Sequence, residues 1–357
     1  MFPIIRDIHD LLPRIQHRKE IAVKQQPNGT TTVCYTIANS DTFADEYLRE
    51  CRGITFGANG KIICRPLHKF FNVGEKEETQ IHNIDWNETA RVMDKRDGSM
   101  ITPIVIDGRI ACKTKKSFDT DQAIRANQYI NQNSNYHQFV FYCESIGATP
   151  IFEWTSPQDR IVLKYNYDEL TLLQIRDNIT GEYYLNLSDR SDFFNISRVS
   201  EDKPFSFDHK GLIARTQKEE NKEGYIVQFK NGDMVKLKTP WYINLHHSVT
   251  FTRERDIVEM VLDEKLDDFK SYLSQIGESH DKVLAIENKV LDSINDIRIE
   301  VETFVNKHHH LSRKEMAEVA GDHPYFGLIM QEYSNVEPRY RDFFKRNYLK
   351  DYSLETV

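Results

Sequence analysis

Apolar and polar positions follow two different periods along this chain. Up to about residue 245 they come in short runs broken by turn residues. Residues 99–106 and 109–114 flank Asp107-Gly108, a dipeptide that supplies the positive φ angles of a two-residue hairpin turn. Residues 225–230 and 234–238 flank Asn231-Gly232 in the same way, and weaker versions surround Asn59-Gly60 and Thr180-Gly181. Several hairpins with a few helices predict a mainly antiparallel α+β domain over residues 1–245. Beyond about residue 250 the period lengthens. Val283, Ile286, Val290, Ile294, Ile297, Val301 and Phe304 recur in steps of three and four, which places them on one helical face. Ile257, Val261, Phe269, Tyr272, Leu273 and Ile276 form a less regular stripe. Ser312 with Glu315 reads as a capping box that opens another helix containing Met316 and Val319. Residues 246–357 are thus expected to form an all-helical domain. The alternative is a helical extension packed on the first domain, with no core of its own.

Turn residues sharpen this division. Of 15 glycines only Gly277, Gly321 and Gly327 lie beyond residue 245, and of 11 prolines only Pro324 and Pro338. No apolar run approaches the ~18 residues of a membrane-spanning helix. The first residues show no basic stretch followed by an apolar run, so no secretory signal is expected. Five cysteines (Cys34, Cys51, Cys64, Cys112 and Cys143) form no CxxC pair and leave one unmatched in any disulfide scheme. Reduced thiols in a cytoplasm are the expectation, without zinc-ribbon spacing. A net charge of −8 repels polyanions, so any nucleic-acid binding must use a local basic groove. His308, His309 and His310 are consecutive and point in different directions, which predicts a loop or solvated helix end and not a metal site.

The segment richest in chemistry is KRDGS, Lys95 to Ser99, just before the first strand of the Asp107-Gly108 hairpin. Lys95 at a sheet edge, beside Asp97 and a Gly98 that permits close backbone approach, has the makings of a covalent nucleophile. Lys236 and Lys238, in VKLK, share one strand face because side chains alternate. Glu153 lies between Phe152 and Trp154, where a buried carboxylate is costly unless partnered or functional. EGYIV supplies Glu223, ECRG supplies Arg52, and HKFFN supplies Lys69 and the stackable ring of Phe71. Lys113, Lys115 and Lys116 add positive charge after Lys95. Together these offer a nucleophile, cations for phosphates, carboxylates for a divalent metal and aromatics for a base.

KRDGS, FEW, EGYIV and VKLK resemble motifs I, III, IV and V of the covalent nucleotidyltransferases: DNA ligases, RNA ligases and mRNA-capping enzymes. ECRGITF, RPLHKFFN and KTPWYINLH resemble specifically the bacteriophage RNA ligase 1 family, which repairs broken tRNA. The resemblance implies an antiparallel nucleotidyltransferase domain and ATP-dependent joining of RNA 5′-phosphate and 3′-hydroxyl ends through lysyl-AMP. It implies ATP as co-substrate, Mg²⁺ (or Mn²⁺) as metal, and a cleaved tRNA as partner, with the helical domain helping to select it. Lys95 is the implied site of adenylylation. Tyr35, Arg52, Lys69, Phe71, Glu153, Lys236 and Lys238 match ATP-binding positions. Asp97, Gly98, Lys113, Lys115 and Tyr242 match supporting ones. Glu153, Glu223 and Asp267 are the implied metal carboxylates. One departure lies in motif I, where the family often has glutamate and this chain has Arg96. Two other readings compete. A capping enzyme or DNA ligase is expected to follow motif V with a five-stranded OB barrel, and a non-catalytic RNA-binding relative would keep the groove without turnover.

Overall fold

Short strands of β-branched and aromatic residues pair into three sheets in the first part of the chain. The computed structural model describes residues 2–38, 40–159, 163–202, 208–246, 254–276 and 280–352. The first sheet runs in chain order through β1 (Ile21–Gln25), β2 (Thr31–Tyr35), β3 (Arg52–Phe56) and β4 (Ile62–Cys64). The remaining strands are β5 (Phe71–Asn72), β6 (Thr89–Lys95), β7 (Ser99–Ile106), β8 (Arg109–Lys113), β9 (Ala148–Thr155), β10 (Glu169–Asp177), β11 (Glu201–Asp202), β12 (Gly224–Phe229) and β13 (Met234–Lys238). They form one sheet in the order β10-β9-β7-β8 and another in the order β11-β6-β12-β13-β5. Every pairing is antiparallel except that of β5 with β13. Helices Asp121–Gln132 and Ser134–Ser145 bury Ala126, Ile130, Phe139 and Val140 in one core with Phe152 and Trp154 of β9.

The two strong hairpins turn by different means. Asp107 (φ 49°) and Gly108 (φ 74°) both take positive φ, the two-residue turn expected. At Asn231-Gly232 only Gly232 is left-handed (φ 90°). Its N–H donates to the Phe229 carbonyl at 2.9 Å, and the Asn231 side-chain oxygen accepts from the Asp233 N–H at 3.0 Å. This side-chain turn holds Asn231 out of the left-handed region and makes Gly232 the bulge residue, which corrects the simple two-residue reading.

The chain divides into two compact units, Met1–Thr36 with Asp41–Ser248, and Ile37–Ser40 with Val249–Val357. Within the second, the 28-residue helix Asp281–His308 buries Val283, Val290, Ile294, Ile297 and Val301 along the predicted stripe, with Ile286 and Phe304 at its margin. Ile257, Val261, Leu328, Ile329 and Phe344 complete the cluster, so these helices have a core of their own. The irregular stripe resolves into two helices, Glu254–Leu262 and Leu266–Ile276, separated where Glu264 takes φ 58°. Ser312 and Glu315 form the predicted capping box. His308 ends its helix and His309 caps it, the solvated end expected of the histidine run. Every element described after Lys238 is helical or 3₁₀, in place of the barrel that a capping enzyme or DNA ligase calls for. The five cysteines are buried and unpaired. No helix among the described residues is long and apolar enough to cross a membrane.

Candidate active site

Lys95 is the last residue of β6, and register places it opposite Gly224, which pairs on its other side with Lys238. Glu223 directly precedes Gly224, so three strand ends converge on one point. Lys95 Nζ lies 2.7 Å and Lys238 Nζ 3.1 Å from the same Glu223 Oε1. Glu223 Oε2 is buried and has no hydrogen-bond partner among the described residues.

Alternation along β9 buries Phe152 and Trp154 in the core and turns Glu153 toward Lys95. Burial, reinforced by the Glu223 charge and opposed by Lys95 and Arg52, pushes the Glu153 carboxyl up to about 7. The Gly98 N–H donates to Glu153 Oε1 at 3.1 Å. A Cβ at Gly98 would stand 2.2 Å from the Trp154 carbonyl oxygen, so glycine here lets β7 leave β6 against the β9 backbone. The close approach foreseen for Gly98 is therefore to a neighbouring strand.

Asp97 has a supporting place. Its Oδ1 accepts from the Tyr242 hydroxyl at 2.8 Å and its Oδ2 from the Leu163 N–H at 2.7 Å, while its own N–H donates to the Tyr165 hydroxyl at 3.1 Å. KTPWY sets Tyr242 locally. The Thr239 hydroxyl accepts from the Tyr242 N–H at 3.0 Å, and Pro240 begins the helix Pro240–His246, as a proline in the first turn can.

Of the neighbouring cations, Arg52 acts on Glu153 at this centre. Arg52 Nε and Nη1 are buried without a hydrogen-bond partner among the described residues, a donor pair suited to a phosphate or carboxylate guest. Lys236 and Arg52 lie 5.4 and 6.0 Å from the Phe70 ring. The sequence singles out Phe71 and not Phe70; in an extended segment the two rings face opposite ways, and each meets its own cations, Phe70 meeting Lys236 and Arg52, and Phe71 meeting Arg49, Lys69 and Lys76 at 5.2–5.4 Å. Phe71 also packs on Phe43 at 6.2 Å, and Phe43 on Tyr35 at 5.0 Å. Lys69 stands 5.3 Å from the rings of both Phe43 and Phe71, and Lys115 4.4 Å from that of Tyr35. Burial acts to raise the Tyr35 phenol, but Lys115, Lys69 and Arg52 outweigh it and hold it below its ordinary value. Lys113 is fully buried and donates to the Gly53 carbonyl at 2.8 Å, so it fastens the Arg52 strand instead of lining a charged rim. Burial lowers its pKa. Asp267 belongs to the helical unit, where its Oδ1 lies 3.5 Å from Lys270 Nζ. Among the described residues no group of three His, Cys, Asp or Glu could hold a metal ion. Glu153 and Glu223 are the carboxylates that the first unit brings together.

A second network, unforeseen from sequence, fixes these segments. Glu50, two residues before Arg52, is buried and chelated by Arg176 at 2.7 and 2.8 Å and by Arg65 Nε at 3.1 Å. The two guanidiniums hold its carboxyl at about 2 against the burial that opposes them. Arg65 and Arg176 also donate to the carbonyls of Pro3, Pro66, Ile179 and Gly181 at 2.7–2.8 Å. The motif ECRG was the available signal, but its partner Arg176 lies 126 residues away.

The fold is that of the nucleotidyltransferase-type ligases. An archaeal ATP-dependent RNA ligase shares the fold, with a TM-score of 0.50 and 10% identity over 83% of this chain and 78% of that one. The sequence profile of an RNA ligase family matches residues 50–242, and the chain belongs to that family. A protein named as an RNA ligase in Thermovibrio ammonificans is 30% identical over 268 residues, covering 72% of this chain and 69% of its own. RNA ligase 1 of bacteriophage TS2126 is 23% identical over 75% of this chain and 69% of that one.

Proposed function

We propose that this chain is an ATP-dependent RNA ligase whose nucleophile is Lys95. The observation that carries the reading is the shared hydrogen bonding of Lys95 and Lys238 to Glu223 Oε1, with Glu153 facing them. A free lysine ammonium has a pKa of ~10.4, and deprotonating it at pH 7 costs about 4.6 kcal/mol. Glu223 Oε1, hydrogen-bonded to Lys95 Nζ at 2.7 Å, takes that proton. In the first step Lys95 Nζ attacks the α-phosphorus of ATP. An N–P bond forms, the P–O bond to pyrophosphate breaks, and Lys236, Lys238 and Arg52 neutralise the phosphates. An RNA 5′-phosphate oxygen then displaces Lys95 from the AMP phosphorus. A 3′-hydroxyl finally attacks the activated 5′-phosphate, forms the phosphodiester and expels AMP. Each step is an in-line displacement in which positioning and charge neutralisation dominate.

The orphaned Glu223 Oε2 and the Glu153 carboxyl fit a hard divalent cation. Glu153 and Glu223 are the residues that would hold Mg²⁺, or Mn²⁺ in its place, with the remaining positions left to water and phosphate oxygens. When bound, the metal supplies charge neutralisation of the triphosphate. A tRNA cleaved in its anticodon loop is the RNA that the family resemblance favours, with the helical unit contributing to its selection.

Incubation with ATP and Mg²⁺ followed by intact mass measurement tests the reading. Wild type gains one adenylyl mass, and Lys95→Ala gains none. An adduct on Lys95→Ala places the nucleophile elsewhere; no adduct on wild type leaves a non-catalytic RNA-binding relative. Comparing the sealing of a nicked tRNA with that of an unstructured strand tests the tRNA assignment.

A further inference from the structure

Beside Lys95, in the first unit, lies a cavity of about 610 Å³ whose wall includes Tyr165, Trp241, Lys164, Glu220 and Asn221. Lys95 is its link with the catalytic cluster, because Glu153, Glu223 and Lys238 are not part of its wall. The volume suits one or two nucleotides, in the range of small-molecule sites. Its charges are largely cancelled. Lys222 pairs with Asp94 at 2.6 Å, Glu219 with Arg215 at 3.7 Å, and Arg96 with Glu169. Arg96 also covers one face of Tyr165, 5.2 Å from its ring centre. Of the charged groups in the wall, Lys164 and Glu220 make no ion pair among the described residues. The cavity therefore offers aromatic surface, one cation, and a carboxylate and amide suited to hydroxyl groups.

Resting on the ligase reading above, we propose that this cavity holds the terminal nucleoside of the RNA strand that ends in a 3′-hydroxyl. Bases stack on aromatic side chains without strong sequence preference, and Trp241 supplies that surface. Glu220 and Asn221 accept from the 2′- and 3′-hydroxyls, as a carboxylate does from a ribose diol in dinucleotide sites. Lys164 meets the one phosphate that follows. The 5′-phosphate end, with its double charge, is excluded by the same carboxylate. Lys95 at the cavity edge places the waiting hydroxyl beside the adenylylated centre.

Fluorescence anisotropy of an internally labelled short oligoribonucleotide, carrying hydroxyls at both ends, tests this without turnover. Wild type binds it at least about 10-fold tighter than the same strand with a 3′-phosphate. Trp241→Ala weakens binding about 10-fold and Trp241→Phe restores most of it, the size expected of one stacked base. Glu220→Ala, at an exposed position that leaves the fold intact, removes the preference for a ribose over a 2′,3′-dideoxy end. Equal binding of 3′-hydroxyl and 3′-phosphate strands overturns the proposal, as does full affinity in both Trp241→Ala and Glu220→Ala. The adenylyl mass assay is read separately, so loss of the adduct with retained end preference would refute the ligase reading and not this one.

Discussion

The Tyr242 hydroxyl donates to Asp97 Oδ1 at 2.8 Å, joining two residues 145 positions apart in sequence. The bond ties the loop that follows Lys95 to the helix that follows Lys238. Tyr242→Phe removes a buried donor to a carboxylate, an interaction worth about 1.5–3 kcal/mol. The expected result is adenylyl-adduct formation slowed roughly 10- to 100-fold, in keeping with such a loss of positioning energy, and a melting temperature lowered by a few degrees. Rapid-quench mass measurement and calorimetry check the two effects.

Glu153 makes opposite demands on activity and stability. Its ionised form is the one that would hold the metal, so the Mg²⁺ concentration needed for adduct formation falls as pH rises from the acid side of its raised value, and Glu153→Gln removes that dependence. Its folded value lies above the ordinary 4.5, so the native state favours the protonated carboxyl. Its contribution to stability therefore declines as pH climbs from about 4.5 to about 7. Glu153→Gln should melt higher than wild type at pH 8 and lose that advantage near pH 4.

Glu50 behaves in the reverse sense. Its folded value of about 2 lies below the ordinary 4.5, so its stabilisation is complete above about 4.5 and disappears as pH falls through about 2. Glu50→Gln leaves Arg65 and Arg176 buried and charged with weakened partners, at a cost of about 3–5 kcal/mol. Urea denaturation at pH 7 checks the loss. The same variant should show a flatter dependence of stability on pH between 2 and 5 than wild type.

Arg52→Lys tests the orphaned guanidinium donors. Lysine keeps the charge but lacks the planar pair of N–H groups. The expected outcome is a KM for ATP raised about 10-fold or more, with little change in melting temperature because those donors have no hydrogen-bond partner among the described residues. An unchanged KM would mean that Arg52 does not meet the nucleotide.

How much was legible in the chain depended on the range of the forces concerned. The Asp107-Gly108 turn, the Ser312 capping box and the stripe from Val283 to Val301 follow from interactions within a few residues, and local sequence displays them. The turn at Asn231-Gly232 read less well, because a side chain competed for the backbone. Short motifs also identified the residues around Lys95, since their spacing and order resemble a family. They could not tell Phe70 from Phe71 as the ring beneath Arg52 and Lys236, nor show that Lys113 is an internal fastener.

What the amino-acid order determined by itself was the alternation of strands and helices and the stock of nucleophile, carboxylate and cation. Tertiary structure alone decided that Glu223 is shared by Lys95 and Lys238, that Glu153 titrates near neutrality, and that Glu50 binds two distant arginines. Those properties arise from desolvation and charge at distances of a few ångströms. Such distances exist only after strands far apart in sequence have paired.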